Sequence, residues 1–149
     1  MNASTGSRVL LYAASGNLNY SWSHLMSKSR KSLKKTRSIA FTRQNGCCYY
    51  CSQPMWTEDP LSFASKYNTP PSQVQRFQCT GEHLVAHQDG GTSAKQNIVA
   101  ACRYCNQQRH KRKVALCPDQ LKKLVQRRMN QGRWHSFRPD SNAQYARQF

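Results

Sequence analysis

Acidic side chains are scarce in this chain: six Asp and Glu stand against 23 Lys and Arg in 149 residues, giving a formal net charge of +17 and a pI near 10.1. A field of that sign attracts polyanions, and nucleic acid is the commonest partner for such a surface. Long apolar runs are missing as well. No stretch approaches the roughly 20 residues needed to span a bilayer, and "VLLYAA" at residues 9–14 is too short for the core of a signal peptide. No lipidation motif or large apolar face supports a role on anionic lipid. The expectation is a soluble, intracellular, cytoplasmic protein with no membrane function. Internal repeats are absent too, and 149 residues suit one domain with appended segments better than two sizeable cores.

Cysteine, by contrast, is present seven times. The number is odd, and four of the seven fall into Cys48-Tyr49-Tyr50-Cys51 and Cys102-Arg103-Tyr104-Cys105, which favours metal over disulfides in a reducing compartment. Matching two-residue gaps let each pair set two sulfurs on one side of a tight turn, and two such knuckles complete a tetrahedral four-thiolate site that suits zinc. A site closed by four cysteines leaves no open position, so its metal is expected to hold the fold and take no part in bond breaking. Cys47 offers a spacing with Cys51 that is one residue longer, and the matched geometry prefers Cys48. Cys47, Cys79 and Cys117 remain as small buried residues by expectation.

Three segments are expected along the chain. Residues 1–43 form a basic N-terminal segment, partly helical or flexible, with Trp22, Leu25, Met26 and Leu33 near helical spacing and a run of Lys and Arg in its second half. Residues 44–113 hold nearly all the chemistry. Within them "WTEDPLSFASKYNTPPSQ" predicts a short helix with a Pro-Pro stop, an insertion rather than another core element. "RFQCTGEHL" and "NIVAA" predict strands, and a helix should begin near Cys105 and run through "NQQRHKRK". Residues 114–149 are expected to be a C-terminal helix and tail, with Pro118 opening the helix, an apolar stripe of Leu121, Leu124, Val125 and Met129, and Gly132 closing it.

Against the basic background, Glu82 directly before His83 stands out. His83 and His87 share the H-x-x-x-H spacing of a zinc protease, but no Glu lies between them to serve as base, and Gly90-Gly91 argues against a continuing helix. His87 reads as a loop histidine near phosphate, and His110 as part of the basic helix face.

The run "GEHLVAHQDGGTSAKQNIVAACRYCNQQRHK" resembles the HNH endonuclease family, the zinc-stapled members of the ββα-metal nucleases. The likeness rests on Glu82-His83, Gly90-Gly91, Asn97, Cys102-x-x-Cys105 and Asn106, with Cys48-x-x-Cys51 upstream, and covers about residues 43–113. It implies an α+β fold, a small ββα-metal core with a four-cysteine zinc site of Cys48, Cys51, Cys102 and Cys105. It also implies a metal-dependent endonuclease that hydrolyses phosphodiester bonds in DNA, RNA being the second choice. By that resemblance His83 is the base that activates water, Glu82 and Asn106 hold one catalytic Mg2+ or Mn2+, and Asn97 braces the loop and orients His83. Glu stands at position 82 where Asp is more frequent, Asn at 106 where His is, and Arg at 109 where Lys is. Arg103, Arg109, Lys111, Arg112 and Lys113 are expected to grip phosphates. A zinc-stapled DNA- or RNA-binding module without catalysis is the alternative.

Overall fold

The computed structural model describes residues 32–139. Its centre is an antiparallel hairpin of β1 (Cys79–His83) and β2 (Ile98–Cys102), paired Cys79 to Cys102 and His83 to Ile98. Every residue of β2 is buried, as its unbroken apolar run requires of a strand covered on both faces. Helical backbone over residues 32–43, α1, lies on one side of the hairpin: a Cβ placed on Gly81 would meet Leu33 at 3.0 Å, so a strand glycine here permits close approach of a helix. The outer edge of β2 is not left open. Gln44 exchanges two hydrogen bonds with the backbone of Ala100, at 2.8 and 2.9 Å, and Tyr49 N donates to Ala100 O.

Helix α4 (Arg103–His110) follows β2 without a loop and packs on the hairpin, completing the strand, loop, strand, helix order expected from the sequence. The fold is α+β with a ββα unit. Helix α5 (Pro118–Asn130) begins at the proline and buries Leu121, Val125 and Met129, with Leu124 only half-buried. These side chains join Ala40 of α1, Trp134 and the cysteines of both C-x-x-C pairs in one apolar core. Residues on both sides of the 44–113 segment thus share its core. Gly132, with φ +66°, closes α5 as a left-handed residue while Arg133 N reaches back to Arg128 O.

The segment between the cysteine pairs departs from expectation. Helix α2 (Pro60–Tyr67) forms as predicted, with Asp59 accepting from the amides of Leu61 and Ser62. The Pro-Pro pair does not merely stop it: Pro71 opens α3 (Pro71–Val74), because proline at a first helical position sacrifices no hydrogen bond. Together they build a second, smaller core of Trp56, Phe63, Val74 and Phe77, and the Trp56 indole donates to Val74 O at 2.8 Å. Trp22, Leu25 and Met26 lie outside the described residues, as does the end of the C-terminal tail. Among the described residues no helix is long and apolar enough to cross a membrane.

Candidate functional site: a four-cysteine centre beside a buried carboxylate

The sulfurs of Cys48, Cys51, Cys102 and Cys105 lie within 4.8 Å of one another, all buried, and Cys51 and Cys102 are 3.9 Å apart. Four thiolates around zinc at about 2.3 Å stand about 3.8 Å from each other, so the cluster needs little adjustment to take a tetrahedral ion. Backbone and indole donors already point at the sulfurs. Cys102 N donates to Cys48 Sγ at 3.2 Å, Cys105 N to Cys102 Sγ at 3.4 Å, and Trp134 Nε1 to Cys105 Sγ at 3.2 Å. Burial pushes the Cys51 and Cys105 thiols well above their ordinary range. At Cys48 burial also acts upward, but hydrogen bonds from the Cys102, Cys105 and Cys51 thiols outweigh it and hold that group low. Only a cation lets four such groups ionise together. Cys47 lies outside the cluster, half-buried with its thiol 3.6 Å from Asn45 O. Cys79 is buried, and that burial raises its thiol to about 11, whereas Cys117 is exposed at the head of α5.

Glu82 is the second feature. It is 2% exposed, on the β1 face that α4 covers. A carboxylate cannot stay charged there unpaired, and two consecutive residues of α4 meet it. The Arg109 guanidinium pairs with Oε1, and His110 Nε2 lies 3.3 Å from Oε2. Arg109, itself 5% exposed, also donates to the carbonyls of His83 at 2.7 Å, Leu84 at 3.3 Å and, through Nε, Leu116 at 3.3 Å. Its guanidinium therefore clamps the end of β1 from inside, which is a different place from the phosphate-gripping surface expected of it. Arg103, Lys111, Arg112 and Lys113 are exposed.

Asn106 stands one turn before His110 on α4, and its Nδ2 donates to Thr80 Oγ1 at 2.9 Å. Thr80 and Glu82 share a strand face one pleat repeat apart, so Asn106 meets the carboxylate's neighbour and His110 meets the carboxylate. His110 is thus more than the basic-face residue its sequence surroundings suggest. The signal that points to it is its i, i+4 relation to Asn106, which puts both on one helix face.

His83 is half-buried, with Nε2 3.4 Å from Ser93 Oγ and its ring centroid 6.1 Å from that of His87. Burial lowers its pKa from 6.5, the nearby His87 lowers it further, and Glu82 acts in the opposite direction. Its imidazole is thereby kept neutral, the form that accepts a proton. Ser93 carries no recognisable signal in the sequence. The loop from β1 to β2 is tied by Asn97, whose Oδ1 accepts from Val85 N at 2.8 Å and whose Nδ2 donates to Val85 O at 3.1 Å and Thr92 O at 2.8 Å. Gly90 holds φ +81°, and a Cβ on Gly91 would lie 1.9 Å from Val85 O, so the Gly-Gly pair is sterically required. A cleft opens between this loop and the ends of α4 and α5, lined by His87, Asp89, Arg109, His110, Leu116 and Pro118 among others.

A ββα unit, a buried tetrad of cysteines that could hold a structural metal, and a histidine next to a carboxylate define an α+β protein of the ββα class. Residues 72–112 match the family model described as HNH endonuclease, and the chain carries an HNH endonuclease domain over that segment. Neither the curated proteins nor the solved structures include a match.

Proposed function

We propose that the protein is a metal-dependent HNH endonuclease that hydrolyses phosphodiester bonds in nucleic acid, DNA first and RNA second. The observation that carries this reading is the meeting of Glu82 and His110 across β1 and α4 beside His83, within the matched family segment. Two ligands at right angles on an octahedral ion with bonds of about 2.1 Å stand about 3 Å apart, close to the 3.3 Å between Glu82 Oε2 and His110 Nε2. That donor set, one carboxylate oxygen and one imidazole nitrogen, fits one divalent cation, with the Asn106 amide oxygen as a third donor if that amide leaves Thr80. Magnesium or manganese bound there would neutralise charge on the phosphate and the leaving oxygen.

The chain's own part is positional. His83, neutral and half-buried, accepts the proton of the attacking water. Asn97 fixes the loop that carries Ser93 and His87 against it, and Arg109 holds the strand end and the Glu82 carboxylate in place. The cysteine tetrad, holding zinc, fixes the start of α4. Arg103, Lys111, Arg112 and Lys113 are exposed and positioned to meet phosphates, Arg103 while donating to Gln78 Oε1 at 3.4 Å.

One observation favours a non-catalytic nucleic-acid-binding module instead. Arg109 already supplies a positive charge to Glu82, the role a catalytic cation would take. Supercoiled plasmid incubated with magnesium or manganese separates the two. Nicked or linear product from the wild type, absent in His83→Ala at unchanged zinc content and plasmid binding, is the expected result. Equal cleavage by His83→Ala would refute the assigned base, and binding without any cleavage by the wild type would leave the module.

A further inference from the structure

The cleft beside Glu82 does not end at the residues of the proposed catalytic site. Its floor includes Cys117 and Pro118, the first residues of α5. Farther along α5 a separate groove is lined by Gln120, Lys123, Leu124 and Arg127, and Arg127 also borders a second cleft with Arg128, Gln131 and Arg133. Positions 120, 123, 127 and 131 recur at helical spacing, so they form one stripe on the face turned away from Leu121, Val125 and Met129. No acidic residue occurs between Gln120 and Pro139. Among the described residues Lys123, Arg127 and Arg128 have no carboxylate partner, while Arg133 donates to Gln131 Oε1 at 2.5 Å. Arg128 lies 5.7 Å from the centroid of the Trp134 ring, a contact that leaves its charge uncancelled. Lys122, exposed with its ammonium 4.4 Å from the centroid of the Tyr49 ring, lies off this stripe, on the side of the helix toward the first knuckle.

We propose that this stripe is a phosphate-tracking rail, leading the backbone of a bound nucleic-acid duplex away from the catalytic cleft along α5 through Lys123, Arg127, Arg128 and Arg133. A row of cations uninterrupted by any carboxylate from Gln120 onward, running along the helix that begins at the cleft, fits a linear polyanion. From Lys123 to Gln131 the helix advances about 12 Å at 1.5 Å per residue. At 3.4 Å per base pair that length tracks about three to four base pairs. The rail lies outside the matched family segment. It rests on the reading that the partner is nucleic acid, and does not require that the protein cut it.

The test compares the wild type with Lys123→Gln/Arg127→Gln/Arg133→Gln, three positions outside the core, whose change leaves it intact; unchanged zinc content and melting temperature verify this. Binding to long fluorescent duplex DNA without magnesium gives the salt dependence and the number of base pairs occluded per protein. The expected result is a log–log salt slope shallower by about 2 to 3, at about 0.9 for each phosphate no longer neutralised, and an occluded site shorter by about three to four base pairs. Lys34→Gln/Lys35→Gln, which removes charge from α1, should keep the wild-type site length. An unchanged site length in the triple variant, an equal shortening in the α1 variant, or wild-type protein that binds phosphatidylserine vesicles and not duplex would each overturn the rail. A wild type that binds with the expected footprint and cleaves nothing would remove the nuclease reading and leave the rail standing.

Discussion

His135 is buried between two aromatic rings, its centroid 5.1 Å from that of Phe77 and 4.9 Å from that of Tyr104, and it is 4% exposed. Neither ring nitrogen has a hydrogen-bond partner. Burial therefore lowers its pKa from 6.5 to about 4, and the Arg76 guanidinium, stacked 3.8 Å over Tyr104, acts in the same direction. The folded state holds this imidazole neutral, while the unfolded chain takes up a proton near pH 6.5. The stability it contributes is thus complete above pH 6.5, declines as the pH falls, and is gone once the pH passes below about 4. A gap of about 2.5 units corresponds to about 3 kcal/mol in full, of which about 2 kcal/mol is already lost at pH 5.

The perturbation is His135→Phe, which keeps a ring between Phe77 and Tyr104 and removes the titration. Urea unfolding followed by tryptophan fluorescence, in excess zinc at pH 8 and pH 5, gives the free energies. Thiolate protonation and zinc release affect both proteins alike, so the pH-dependent difference between them isolates position 135. His135→Phe is expected to equal or exceed the wild type at pH 8, because it removes buried unpaired nitrogens. Its advantage should grow by about 2 kcal/mol at pH 5. Parallel pH dependences of the two proteins would refute the reasoning and mean that the ring is hydrated or paired in solution.

Four further outcomes follow from the same geometry. Cys102→Ser should lose its metal, by inductively coupled plasma measurement, and its cooperative unfolding transition, because that sulfur sits within the buried tetrad. Arg109→Ala should lower stability by about 3 to 5 kcal/mol in thermal melts, since it strands a buried carboxylate. Gly91→Ala should cost about 2 to 4 kcal/mol and reduce cleavage together, the clash being with backbone that cannot rotate away. For cleavage, the acidic limb of kcat/KM should inflect below pH 6.5, and His87→Ala should move it upward by removing the neighbouring charge that depresses His83.

Sequence spacing reveals whatever local geometry alone determines. Two C-x-x-C pairs announce a tetrahedral site because both sulfurs of each pair are set by one turn. Glu82-His83 and Asn97 are legible because their order along a hairpin is fixed. His110 is legible only in part: its i, i+4 relation to Asn106 puts both on one helix face, but the rotational register of α4 over β1 decides that His110 rather than Asn106 meets the carboxylate. Arg109 misleads for the same reason: a cation on a basic helix reads as exposed until the fold turns it inward. The second core around Phe63 and Phe77 escapes because a Pro-Pro pair can end one helix or open another, and only the aromatic partners across the gap decide.

Helix α4 is what binds structure to chemistry. Cys102 caps its first turn, Cys105 lies inside it, and Arg109 and His110 occupy its last turn, all within nine consecutive residues. From Cys105 to His110 the axial rise is only about 7.5 Å, too short for a hinge, and no glycine or proline interrupts the segment. Displacing the cysteine tetrad therefore displaces the groups that meet Glu82. A metal held by the tetrad would need no chemical role to control activity, because it would set the position of the helix whose far end closes the proposed catalytic site.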